Sequence, residues 1–144
     1  MEFCIKDVKD VSEQIEALRY DENGYKTLVS FEGWRAAFMN DGPKTTIEGL
    51  SYFQQHNESD EVFVLLSGRC VLLLAGFGDT PGEISAVDMQ PNVMYKVKKG
   101  AWHTHYFAPD TKVLIVENAD TDLSNSPCDD LTAEQKKIIA DLCK

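Results

Sequence analysis

The feature that most constrains this chain is a long series of short apolar or alternating runs, each closed by turn residues, between Tyr25 and Glu117. The runs are Tyr25 to Phe31, Trp34 to Met39, Tyr52 to His56, Val62 to Leu66, Cys70 to Ala75, Ile84 to Met89, Val93 to Val97, Ala101 to Ala108 and Val113 to Val116. Turn clusters such as Asn40-Asp41-Gly42-Pro43 and Asn57-Glu58-Ser59-Asp60 separate them. Runs this brief, spaced this closely, predict the strands of an all-β sandwich or barrel. Val62-Phe63-Val64-Leu65-Leu66 is apolar at every position. Side chains alternate faces along a strand, so both faces of this one need cover: a second sheet on one side, a terminal segment or a partner subunit on the other.

The flanks read differently. Ser12 to Tyr20 places Ile15 and Leu18 three apart, which predicts a short N-terminal helix, and Asn23-Gly24 a turn after it. Near the other end, Thr132 and Gln135 have capping-box spacing, and Ile138, Ile139 and Leu142 share one apolar face. A C-terminal helix is expected at about 132–143, reached through a linker over 119–130. With 144 residues the chain has the size of one domain, its β core at about 25–118.

Charge narrows the partners. Fourteen Lys and Arg against 24 Asp and Glu leave a formal net charge of −10, which repels phosphate backbones and anionic lipid. Neither nucleic acid nor a membrane surface is an expected partner. No apolar stretch approaches the ~20 residues of a membrane span, and the start Met1-Glu2-Phe3-Cys4-Ile5-Lys6 lacks the pattern of a secretory signal, so a cytoplasmic location is expected. The cysteines, Cys4, Cys70, Cys128 and Cys143, share no metal-knuckle spacing and read as reduced and structural.

The chemistry gathers at the histidines. His56, His103 and His105 all lie at or near strand ends, beside other donors. Were His56 and Glu61 to flank a hairpin loop, their Cβ atoms would stand ~4.5–5.5 Å apart on one face, close enough to share an ion. Gln54, two residues before His56, shares its face, as His103 shares one with His105. Imidazole, carboxylate and amide donors suit Fe(II), Mn, Ni or Zn without choosing among them. An isolated histidine at a strand end is ordinarily solvated or hydrogen-bonded. The gathering of all three in two such clusters favours a metal site.

These residues carry a family resemblance. Gln54-x-His56-x4-Glu61-x6-Gly68 resembles the first motif of the cupin superfamily, with Gln54 standing at the family's first histidine. Gly100-x2-His103 resembles the core of the second motif. The resemblance implies an antiparallel jelly-roll barrel with the metal inside. Within that fold class the chain is most similar to the ureidoglycolate lyase family. The similarity runs through Phe53-Gln54-Gln55-His56, Phe63-Val64-Leu65-Leu66-Ser67-Gly68, Leu74-Ala75-Gly76-Phe77-Gly78-Asp79, the pair Trp102-His103, and Val113-Leu114-Ile115-Val116-Glu117-Asn118.

That resemblance implies cleavage of ureidoglycolate to glyoxylate and urea on a divalent metal held by His56, Glu61 and His103, with Gln54 a fourth ligand or a donor to substrate. His103 and His105 would be catalytic, His105 as acid–base because its ordinary pKa lies near neutrality. Arg35 would grip the carboxylate of a small anionic substrate, or be only a charge on an edge strand. Lys98, with Lys96, would draw the anion in, or guard an edge. Tyr52 and Trp102 would line the pocket, or be core. The family and the doubly apolar strands imply a homodimer. Two alternatives stay open: another cupin enzyme, a sugar isomerase or dioxygenase, and a non-catalytic cupin that binds a small molecule.

Overall fold

The computed structural model describes residues 13–144. Ten strands and one helix follow in order: β1 (Gly24–Phe31), β2 (Trp34–Asn40), β3 (Tyr52–Gln54), β4 (Glu61–Ser67), β5 (Cys70–Leu74), β6 (Ser85–Asp88), β7 (Met94–Val97), β8 (His103–Phe107), β9 (Lys112–Asn118), β10 (Cys128–Asp130) and α1 (Ala133–Leu142). They form two five-stranded antiparallel sheets, ordered β1-β2-β9-β4-β7 and β10-β3-β8-β5-β6. The arrangement is a cupin-type jelly roll.

The inward positions alternate as the pleat demands. Phe63 and Leu65 of β4, Cys70 and Leu72 of β5, Phe107 of β8, and Val113 and Ile115 of β9 meet between the sheets. Burying a side chain of this size contributes about 1.5–3 kcal/mol. The second sheet is apolar on its outer face too. There Val71 and Leu73 pack with Phe53, Trp102 and Ile139 of α1. The terminal helix thus supplies the second cover for that sheet. Thr132 caps it through the expected box: its hydroxyl accepts from the Gln135 amide, and the Gln135 side chain accepts from the Thr132 amide. Gly68 sits between β4 and β5 at φ +78°, with Thr111 pressed against the place a Cβ would occupy.

Three expectations change. Residues 13–20 form no helix, Ser12 lying outside the described residues. The reason is that Ile15 and Leu18 are exposed at 49% and 40%, so an apolar face there has nothing to bury against. The segment expected as a linker carries β10, which adds to the edge of the second sheet by pairing with β3. Most consequentially, β3 and β4 belong to opposite sheets, so His56 and Glu61 do not flank a hairpin. The loop between them crosses from one sheet to the other. Among the described residues, no helix is long and apolar enough to cross a membrane.

Candidate metal centre

The two sheets open at one end onto a cavity of about 430 Å³. Strand register decides which side chains meet there. Arg35 of β2 is paired with Glu117 of β9, and Val62 of β4 with Val116 of β9. Continuing that register sets Glu61 opposite Glu117, so a cation and two carboxylates cross three neighbouring strands on the inner face. His103 begins β8 in the facing sheet. His56 lies past the end of β3, in the crossing loop, and the backbone on either side fixes it. The Gly100 amide donates to the His56 carbonyl at 2.7 Å, and Gln55 and Asn57 amides donate to the carbonyls of Pro127 and Asn125.

His56, Glu61 and His103 thereby converge, all three buried. Glu61 Oε1 stands 3.0 Å from His103 Nε2 and 3.4 Å from His56 Nε2. The hydrogen bonds behind the rings set their tautomers. His103 Nδ1 donates to the Ala101 carbonyl at 2.9 Å. The Ser126 hydroxyl spends its proton on Asn125 Oδ1, so His56 Nδ1 donates to Ser126 Oγ at 2.8 Å. In the neutral state both Nε2 atoms therefore aim lone pairs at a carboxylate. Such an arrangement calls for positive charge between the donors, whether a proton or an ion. Two donors each ~2.1 Å from one ion, at octahedral or tetrahedral angles, stand ~3.0–3.4 Å apart. The two separations from Glu61 fit, the three ligand atoms lie within 4.8 Å of one another, and the donor set suits a first-row divalent ion. Second contacts that hold ligand imidazoles are a regular part of such sites.

Glu117 also lines the cavity, and the sequence reading did not single it out as a site residue. Its Oε1 accepts from Arg35 Nη2 at 2.8 Å, Arg35 Nε at 3.2 Å and the Tyr25 hydroxyl at 2.9 Å. Its Oε2 is buried, lacks a hydrogen-bond partner, and lies 3.9 Å from His56 Nε2. A signal was available: Val113, Ile115 and Glu117 occupy one face of β9, so an acidic residue at the last position faces the interior.

The electrostatics follow from burial and from these pairings. Burial and the neighbouring Glu61 charge push Glu117 up to about 7, against the pull of Arg35 and Tyr25. Burial opposes the charge on Glu61 as well, but the His103 and His56 rings, which donate to it from Nε2 when protonated, hold its carboxyl well below the ordinary range. For His103, burial favours the neutral ring, yet Glu61 wins and raises its pKa. Burial, then Glu117, pushes the Tyr25 phenol up to about 12, so it remains a donor.

The other expected site residues divide. Gln54, Tyr52, Arg35 and His105 all line the cavity. Gln54 pairs with His103 across β3 and β8, and its amide donates to Cys128 Sγ at 3.6 Å. Arg35 is not free to grip an anion, because Glu117, Ala119 and Thr121 oxygens engage its guanidinium. His105 packs against Phe63 and Phe107, and burial lowers its pKa to about 4, so at neutral pH it is a neutral ring with an unpartnered Nδ1. Two residues fall outside the cavity. Trp102 belongs to the core beneath α1 and donates to the Gly78 carbonyl at 2.8 Å. Lys98 is exposed on the turn after β7, whereas Lys44, also exposed, stands on the cavity wall.

Fold and site together define a cupin-type jelly roll with a buried two-histidine, one-carboxylate cluster. No protein-family model matches the sequence, and no curated protein matches it. The chain superposes on the nucleoside dehydratase Pac13 with a TM-score of 0.57 at 11% identity, covering 81% of this chain and 88% of that one. It also superposes on a variant of Streptomyces Pac13 with uridine (TM-score 0.57, 12% identity, 93% of this chain and 96% of that one). A cupin-2 domain protein from Shewanella frigidimarina aligns with a TM-score of 0.48 at 18% identity, over 79% of this chain and 93% of that one. At such identities the likeness to Pac13 is one of fold.

Proposed function

We propose that this chain is a divalent-metal-dependent lyase acting on a small 2-hydroxy carboxylate, ureidoglycolate being the first substrate to test. The observation that carries the reading is the convergence of two imidazole nitrogens and a carboxylate oxygen on the wall of an open cavity. His56, Glu61 and His103 would hold the ion, and when bound it would supply Lewis acidity toward a substrate hydroxyl. Glu117 Oε2, unpartnered beside His56, is placed to take a proton from the substrate. Arg35 and Tyr25 orient that carboxylate through its other oxygen. Lys44 offers the entering anion a charge at the mouth, where it forms no ion pair among the described residues.

Elemental analysis of the purified protein tests the reading. About one Fe, Mn, Ni or Zn per chain, lost in the His56→Ala/His103→Ala variant, is expected, together with urea release from ureidoglycolate. A fully loaded protein that releases no urea rejects that substrate, and a protein that never takes up metal rejects the metal-dependent reading. The hydrogen bond between Glu61 and His103 favours a second reading, in which the same pair moves protons in an elimination without an ion. Activity that survives exhaustive chelation would select it.

The outer face of the first sheet carries exposed Phe31, Trp34, Leu66 and Met94, and no described segment covers it. A second copy of the chain would complete it, as expected for a homodimer. Light scattering after size exclusion is expected to give twice the 16.2 kDa chain mass.

A further inference from the structure

The metal-binding residues fill only the inner part of the cavity. His56, Glu61 and His103 are each at most 6% exposed, whereas Tyr52 and Leu123, on the wall of the same cavity, are 44% and 77% exposed. The lining therefore joins buried polar donors to an exposed part where Tyr52 and Leu123 present large apolar surface beside Lys44, Ser51 and Asp122. Leu50 and Met39 line the cavity as well and extend the apolar share of the wall. The volume sharpens the point. Ureidoglycolate has nine non-hydrogen atoms, which at even the ~30 Å³ that one water occupies fill no more than about 270 Å³. The cavity measures about 430 Å³, the size range of sites for larger organic ligands.

We infer that the site takes a 2-hydroxy carboxylate bearing a planar ring, the hydroxy-acid head at His56, Glu61 and His103 and the ring at the mouth against Tyr52 and Leu123. The inference rests on the reading of the inner cluster as a metal site for hydroxy acids. It adds what that cluster alone does not give, the character of the remainder of the ligand. An aromatic ring on Tyr52 gains an offset or edge-on contact, and Leu123 gives up exposed apolar area to the ligand. The head would meet polar groups in the buried end that a ring could not satisfy, so the ligand has one preferred orientation.

The test uses glycolate and mandelate, which differ by a phenyl group, titrated calorimetrically into metal-loaded protein. Mandelate is expected to bind at least about tenfold more tightly than glycolate. Tyr52→Ala and Leu123→Ala are each expected to bring that ratio toward about twofold, while Met94→Ala, on the outer face of the other sheet, keeps it. Both cavity positions are exposed, and thermal melting of each variant confirms that it folds. Equal affinities for the two acids in the wild-type protein would overturn the inference while leaving the metal-site reading standing. A preference for mandelate that persists in both variants would also overturn it, because the ring would then sit elsewhere. A loaded protein that binds neither acid would overturn both the inference and the hydroxy-acid reading beneath it.

Discussion

His105 gives the sharpest test of the site's electrostatics. Its ring lies 5.9 Å from that of Phe63 and 5.2 Å from that of Phe107, and its Nδ1 is cut off from solvent. Burial lowers its pKa from 6.5 to about 4. Below pH 6.5 the unfolded chain therefore binds a proton that the folded chain refuses, and stability falls as the pH falls. At pH 5 the two pKa values correspond to a loss of about 2 kcal/mol, an upper figure because the half-buried ring keeps some contact with water. His105→Phe removes the titrating group and keeps a ring among rings. Urea denaturation of both proteins at pH 7 and pH 5 measures the difference between their acid sensitivities. Contributions of Glu61, His103 and Glu117 are common to both proteins and cancel. The wild type is expected to lose 1–2 kcal/mol more than the variant. Equal losses, within about 0.5 kcal/mol, would refute the claim that His105 is held neutral by its surroundings.

Gly68→Ala puts a Cβ on Thr111 at φ +78°, and a loss of about 3 kcal/mol or more is expected in a denaturant melt. Native thiol labelling followed by peptide mapping is expected to modify exposed Cys128 and spare Cys70, which is buried and whose thiol pKa burial raises. Tyr25→Phe removes one hydrogen bond to Glu117 Oε1, and a loss of about 1–2 kcal/mol is expected from thermal melting.

β4 and β9 were legible because buried positions alternate along them, and β5 because four successive residues, Cys70 to Leu73, are buried; β1, which buries none, was legible only from its residue types and its bounding turns. β10 was not legible: Cys128-Asp129-Asp130 has no apolar alternation, and its place at the edge comes from three backbone pairings with β3. The donors His56, Glu61 and His103 were legible as residue types, but the route by which they meet was not. A hairpin and a crossing between sheets both bring position 56 near position 61, and only the sheet order separates them. Arg35 was read as a grip for substrate or a charge on an edge strand because its partner lies 82 residues away, a pairing that strand register alone reveals. Trp102 shows the converse case. Its large apolar surface suits a pocket or a core, and the deciding factor is α1, which covers that side of the sheet.

The inner end of the barrel holds Arg35, Glu117, Glu61, His56 and His103 close together, four of them buried. A few residues further along the same strands, Phe63, Leu65 and Ile115 fill the same interior with apolar side chains. Stability alone would continue that pattern, since burying charges costs several kcal/mol per ion and replacing a buried pair by apolar residues is often neutral or favourable. The Arg35–Glu117 pair separates the two demands. Arg35→Met alone leaves Glu117 buried opposite Glu61 with its main counter-charge gone, and a loss of about 3–5 kcal/mol is expected. Arg35→Met combined with Glu117→Leu removes the stranded carboxylate and is expected to recover most of that loss. The double variant should melt near the wild-type temperature and still take up metal through His56, Glu61 and His103, yet lose turnover of any substrate the wild type accepts. If it is instead as unstable as the single arginine variant, the pair holds the barrel together, and its place beside His56, Glu61 and His103 has a structural cause rather than a chemical one.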